Sequence, residues 1–128
     1  MTAIFESSEL AGEIAEKLRV YAQPQRLKIL SCLLRGERTV TEIGEITQIA
    51  QPALSQQLAE LRRAELVSTR KESKQVWYAL ANDGVMTCIH TLEQIFCGNE
   101  SVRVEPQSLR PAPWQASLSG VAAFAKVV

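Results

Sequence analysis

Apolar positions recur three or four residues apart through most of residues 6–97, and residues 39–66 show the pattern most clearly. Val40, Ile43 and Ile46 follow helical spacing. After a break, Leu54, Leu58 and Leu61 do so again, with Ser55, Gln56, Gln57 and Glu60 between them. The second of these helices is expected to open at Gln51-Pro52, because proline is tolerated at a first helical position. Two short helices across a break, the second apolar on one side and lined with amide-bearing or short polar side chains on the other, read as a helix-turn-helix. In that motif the second helix offers its outer face to a DNA major groove. Any helical hairpin needs an apolar seam, so the motif gains its specificity from the segment after Leu66.

Residues 67–70 and 76–79 are rich in β-formers, and the polar run 71–75 between them carries Lys71 and Lys74. This predicts a two-stranded hairpin with a charged tip. A helix-turn-helix followed by such a hairpin is a winged helix, whose tip can reach DNA backbone or minor groove. Upstream, residues 6–22 predict a first helix with Leu10, Ile14, Leu18 and Tyr21 on one stripe. Ser7 or Ser8 is its candidate cap, and Ala11 rules out a capping box from Ser8. A second helix is expected over 24–34, with Leu27, Leu30, Leu33 and Leu34 inward and Gly36 as its stop. Arg26 and Lys28 read as solvated helix charges, with Arg26 also able to brace a neighbouring backbone. The fourth helix should end near Ala64 or Glu65. The last should start at Asn82 or Asp83 and run through Val85, Ile89, Leu92, Ile95 and Phe96 to Cys97, with Gly98 as terminator. The expected fold is mainly α with a two-stranded β wing, in the order ααααββα, over residues 1–98. From residue 99 the texture changes: Pro106, Pro111 and Pro113 predict an extended or partly disordered tail over 99–128. Two apolar terminal helices in so small a domain imply a homodimer built on the first and last helices.

Composition narrows this further. An apolar content of 46% over 128 residues suffices for one modest core. Net charge is zero, so the distribution of charge carries the information. Residues 6–16 hold four acids and no base, whereas residues 62–74 hold five bases (Arg62, Arg63, Arg70, Lys71 and Lys74) against two acids. That asymmetry implies a positive patch on one face. No apolar run approaches the roughly 20 residues of a bilayer span, and the N-terminus lacks a basic segment followed by an apolar one, so a cytoplasmic location is expected and no membrane partner. Three cysteines without dense spacing do not make a disulfide framework. Catalytic equipment is sparse: one histidine, no evident carboxylate pair and no glycine-rich phosphate loop. His90 and Cys97 lie about 10 Å apart in helical rise, too far for a nucleophile dyad. Neither an enzyme nor a cofactor is expected.

The stretches AQPQRLKIL (22–30), QPALSQQLAELRRAELV (51–67) and TRKESKQVWYAL (69–80) resemble the ArsR/SmtB family of bacterial winged-helix repressors, and the likeness extends over about residues 10–97. The resemblance implies a homodimer that sits on double-stranded operator DNA until an inducer binds. By position, Gln51, Ser55, Gln56 and Gln57 would form the groove-facing set, and Lys71, Lys74 and Gln75 the wing contacts. Gln57 departs from the histidine common at its position, which bears on sequence preference. A glutamine can pair with adenine, while lysines give salt-dependent phosphate contacts.

The family divides by inducer. The metal site recognised by a cysteine pair in the helix before the reader is ruled out here, because VTEIGE contains no cysteine. In the last helix, Asp83 matches one metal-ligand position, but Val85 and Phe96 occupy others. His90 and Glu93 alone are too few for a closed zinc site, so no metal is expected. Cys32 within KILSCLL and Cys97 within EQIFC resemble the placement in BigR-like and SqrR-like repressors, which respond to persulfides or other oxidants through a cysteine in each position. That likeness implies reactive sulfur species or an oxidant as inducer. A direct disulfide needs α-carbons within about 7 Å. Cys88 lies about 180° around the helix from Cys97 and reads as core or interface filler. An arsenite or antimonite sensor using Cys88, Cys97 and Cys32, and a winged helix used only for protein assembly, are the alternatives.

Overall fold

The structure, a computed structural model, describes residues 2–98. A 3-10 turn, Ile4–Glu6, precedes α1, Ser8–Tyr21. The helix starts later than residue 6 because the Glu6 carboxylate accepts from the Ala3 N–H at 2.9 Å and closes the turn. Ser7 then caps α1, its Oγ accepting from Leu10 N–H at 3.0 Å. No residue of α1 is buried. Helix α2, Pro24–Leu34, has the expected bounds and its proline in the first turn. Its buried face is Ile29, Leu30, Cys32 and Leu33. Leu27, expected inward, is 37% exposed, and Leu34 is only half-buried. At roughly 100° per residue Leu27 stands about 160° around from Ile29, on the far side of the helix. Gly36, at φ +136°, turns the chain out of the helix.

A third strand corrects the two-stranded expectation. β1, Arg38–Thr39, pairs antiparallel with the later of the two wing strands. Two residues are too few to show an alternation, and no other sequence signal marks them. Thr39 also opens α3, Val40–Thr47, through a reciprocal cap: its Oγ1 accepts from Glu42 N–H at 3.3 Å, and the Glu42 carboxylate accepts from Thr39 N–H at 3.0 Å. Ile43 is fully buried, but Ile46 is 55% exposed. Thr47, one helical turn after Ile43, takes the inward place, donating its hydroxyl to Ile43 O at 2.7 Å. Gln48 ends α3 in the left-handed conformation, φ 62°.

Helix α4, Ala53–Arg63, begins two residues after the expected Gln51-Pro52 start, with Pro52 as its cap position. Gly44 sets the spacing of α3 and α4: a Cβ there would come within 3.3 Å of Leu54 Cδ2. The wing consists of β2, Val67–Glu72, and β3, Gln75–Leu80, and the sheet order is β1-β3-β2. Its register runs from Val67↔Leu80 to Glu72↔Gln75, leaving Ser73-Lys74 as a two-residue turn. Helix α5, Asp83–Cys97, is capped by Asn82, whose Oδ1 accepts from Val85 N–H at 3.0 Å. Gly98, at φ +61°, stands just past its end.

Ile29, Leu30, Ile43, Leu58 and Leu61 are the large side chains with essentially no solvent contact, joined in the core by Leu54, Val67, Leu80, Val85 and Ile89. Each such burial is worth about 1.5–3 kcal/mol, so α2, α3, α4 and the sheet are held on one another. The core lies within a compact unit reaching Ile89, while the rest of α5, from His90, belongs to a second unit. The fold is a mainly helical winged helix-turn-helix. Among the described residues no helix is long and apolar enough to cross a membrane. The tail expected over 99–128 lies outside the described residues.

Candidate nucleic-acid interface

Leu54, Leu58 and Leu61 bury one face of α4, which fixes where every polar neighbour points. Gln56 stands about 160° from that stripe and is exposed. Ser55 is exposed on one flank and is held by Gln51. The Gln51 Oε1 accepts from Ser55 Oγ at 2.7 Å and from Ser55 N–H at 3.1 Å. This side-chain cap supplies an acceptor that Pro52 lacks, and it leaves the Gln51 amide nitrogen free to donate outward. Gln57 lies about 60° to the other side and is turned back onto α2. Its Oε1 accepts from Arg26 Nε at 2.7 Å, and its Nε2 donates to Gln25 Oε1 at 3.3 Å. Arg26 does brace a backbone as well, donating from Nη1 to Val20 O at 3.2 Å. The structure therefore gathers Gln51, Ser55 and Gln56 at the exposed start of α4, while Gln57 is tied to α2.

At the wing, Lys71, Lys74 and Gln75 are all exposed around the turn. The five bases of residues 62–74 are not equivalent. Arg63 is paired with Glu60, and Arg70 with both Glu37 and Glu72. Arg62, Lys71 and Lys74 form no ion pair among the described residues. A groove of about 450 Å³ lies between α4 and the sheet, lined by Val40, Ser55, Leu58, Ala59, Arg62, Arg63 and Tyr78. Sequence reading missed this groove and the Arg26–Gln57 bond, because both depend on contacts between residues far apart in the chain.

Of the three free cysteines, Cys32 is buried (6% exposed), Cys88 is half-buried and Cys97 is exposed. Burial pushes the Cys32 thiol above its ordinary range, although the neighbouring Arg38 guanidinium pulls it the other way. Cys32 is thus held as a thiol near neutral pH and is a poor first nucleophile. Cys88 neighbours Tyr21, whose phenol is pushed up to about 12, first by burial and then by that thiol. Among the described residues no group of three or more His, Cys, Asp or Glu side chains converges into a metal site. His90 instead faces Gln94, Nε2 to Nε2, at 3.5 Å.

Residues 23–69, which carry α2, α3, α4 and the start of β2, match the family of bacterial regulatory proteins, arsR family. The chain is 44% identical over 90 residues to the biofilm growth-associated repressor of Agrobacterium fabrum, spanning 70% of this chain and 77% of that one. Among solved structures, the transcriptional repressor BigR from Xylella fastidiosa is similar at a TM-score of 0.68 and 34% identity, over 75% of this chain and 98% of that one. Reduced HlyU from Vibrio cholerae N16961 is similar at a TM-score of 0.62 and 38% identity, over 68% and 96% respectively.

Proposed function

We propose, from the premise that this chain belongs to the arsR family of bacterial regulatory proteins, that it is a homodimeric transcriptional repressor working in the cytoplasm. It binds operator DNA and is released when a Cys32/Cys97 dithiol is modified by reactive sulfur species or oxidants. The observation that carries the DNA-binding reading is the outer face of α4. It presents Gln56 opposite a buried leucine stripe and Ser55 on its flank, and the wing adds Lys71 and Lys74, which have no internal ion pair among the described residues. Gln56 has the exposure for a paired contact to a base edge. Gln51 and Ser55 suit phosphate or base contacts, Gln57 adds what its brace leaves free, and Lys71, Lys74 and Gln75 suit the backbone. The repressor sense is supported by the two similar proteins described as repressors.

The thiol reading is supported by the contrast between the two cysteines and by the reduced form in which a similar regulator was solved. Cys97, exposed, is the entry point. Its thiolate takes the terminal sulfur of a hydropolysulfide, which leaves one sulfur shorter, and Cys97 becomes a persulfide. Cys32, the slower partner, must first give up its thiol proton; its sulfur then attacks the inner sulfur of the Cys97 persulfide, displacing hydrosulfide and closing a disulfide. The link pulls the end of α5 toward α2, and this lowers DNA affinity by coupling to the spacing of the two reading heads. The metalloid alternative is not favoured: Cys88 is engaged with Tyr21 and points about 180° away from Cys97.

The test is binding of purified protein to a duplex from its own promoter at fixed salt, before and after hydrogen polysulfide, with intact mass on the same samples. Wild type should lose affinity as a Cys32–Cys97 link forms, with or without inserted sulfur. Cys32→Ser and Cys97→Ser should each bind DNA normally and fail to respond. Induction of both variants equal to wild type would refute the dithiol. Absence of binding in every state would refute the repressor reading itself.

A further inference from the structure

The sheet carries an arrangement that DNA contact does not require. Strand alternation puts Glu37, Thr39, Trp77 and Arg70 on one face, since Thr39 pairs with Trp77 and Trp77 with Arg70. Glu37 immediately precedes β1, the edge strand joined to the start of α3, while Arg70 stands on β2, the opposite edge. The Arg70 side chain crosses the central strand, its guanidinium 5.5 Å from the Trp77 ring centroid. It then forks onto Glu37, with Nε at 3.0 and 3.1 Å from the two carboxylate oxygens and Nη2 at 2.5 Å from Oε1. Its remaining terminal nitrogen, Nη1, donates to Glu72 Oε1 at 3.0 Å at the wing end of the same strand.

One guanidinium thus holds both carboxylates and the ring, engaging three of its five N–H groups internally, and the two carboxylates together outweigh its single positive charge, which makes it a poor partner for a phosphate. We propose that Arg70 is a positioning residue: through Glu37, Trp77 and Glu72 it straps the wing to the strand that opens the helix-turn-helix. In this way it fixes where Lys71 and Lys74 meet DNA without itself being a DNA contact. The inference rests on the DNA-binding reading above. A two-stranded hairpin is marginal on its own, and the bond from Arg70 to Glu37 links its outer strand to the far edge of the sheet. The planar fork matters, because a lysine in its place has a single nitrogen with which to reach both carboxylates and no flat face to lay on the ring. Arg70 holds the Glu37 carboxyl below its ordinary value of 4.5. The folded state thus favours the ionised form, so the strap is complete at neutral pH and is lost only as pH falls from about 4.5 through the lower folded value.

Simple electrostatics and the strap predict opposite signs. Removing the Glu37 charge near a polyanion should tighten DNA binding if charge alone matters, and should weaken it if Glu37 holds the wing. The experiment compares wild type, Glu37→Gln and Arg70→Lys, with Arg70→Gln as a charge-removing control, for binding to a labelled duplex covering the region upstream of the chain's own gene. It is run across a salt series, with amide hydrogen exchange of the wing measured on the same proteins. The expected result is a weakening of about threefold to tenfold in both variants, an unchanged slope of log K against log salt, and faster exchange in β2 and β3. Binding by Glu37→Gln that equals or exceeds wild type overturns the proposal. So does a slope lowered by about one in Arg70→Gln, the signature of a lost phosphate contact. Should wild type bind no duplex at all, the DNA-binding reading fails separately, and wing exchange unchanged in Glu37→Gln then refutes the strap on its own.

Discussion

At the scale of single residues, side chains of the same type are sorted by what they touch. Gln56 and Gln57 are neighbours in sequence, yet one faces solvent and the other is bonded to Arg26 and Gln25. Cys88 and Cys32 are likewise unlike, the former paired with a phenol and the latter buried near a guanidinium. The Tyr21–Cys88 pair has a consequence in alkali. The Tyr21 hydroxyl, ordinarily titrating at 10.0, is pushed up to about 12, first by burial and then by Cys88, whose charge opposes a phenolate and whose hydrogen bond favours the neutral form. The unfolded chain therefore loses this proton before the folded one. The contribution to stability is complete below 10.0 and declines as pH rises toward about 12. Urea unfolding midpoints measured across that window should fall more steeply in wild type than in Tyr21→Phe. An equally steep fall in the phenylalanine variant would mean that other groups carry the alkaline loss. Replacing Cys88 with alanine should let the phenol ionise at lower pH, followed by its ultraviolet absorbance.

At the scale of elements, the helix-turn-helix depends on how α3 begins. Thr39 and Glu42 satisfy each other's backbone N–H groups, and Thr39 also belongs to β1, so one residue closes a strand and opens a helix. Thr39→Ala should cost about 1 kcal/mol, within the usual range for a lost N-terminal cap. Chemical denaturation would show it as a lower midpoint at unchanged slope. A loss near zero would mean that β1 pairing alone holds the junction. The bounds of α2 and α5 were legible to within a residue, because their apolar periods are long and bounded by Pro24, Asn82 and Gly98. The wing was legible from its β-formers and polar turn. β1 was not, since two residues have no period, and Ile46 misled because an apolar spacing does not say which of its members meets the core. In the candidate interface, exposure of Ser55, Gln56, Lys71 and Lys74 could be anticipated from the leucine stripe and the turn. The bonds of Gln57 and Arg70 could not, because their partners Arg26 and Glu37 lie some thirty positions earlier, at separations of 31 and 33 residues.

At the scale of the whole molecule, the balance of 14 basic and 14 acidic residues makes net attraction to DNA weak. Internal pairing of Arg63 and Arg70 thins the basic face further. A single copy thus offers few phosphate contacts, and in the proposed dimer two copies on two half-sites would double them, so operator affinity would turn on dimerisation. The single chain also leaves its own apolar surface uncovered. Helix α1 carries Leu10, Ile14 and Leu18 without burying any residue, and Leu18 is 51% exposed. In α5, Met86, Ile95 and Phe96 are exposed, the last at 64%. A monomer in water gains nothing from such faces, whereas a second copy would remove them from solvent at about 25 cal/mol per Å². Leu18→Glu tests this with little risk to the fold, because the side chain already faces water in the single chain. Sedimentation of wild type should give twice 14.2 kDa, and the variant should sediment as a monomer at the same concentration. Its thermal midpoint should lose the dependence on protein concentration that an associating wild type shows. Its DNA affinity should drop and the salt slope should fall toward half, because each remaining complex uses one reading head and one wing. A variant that still sediments as a dimer would place the interface away from α1. A wild type that sediments as a monomer while holding operator DNA tightly would remove the two-fold arrangement altogether.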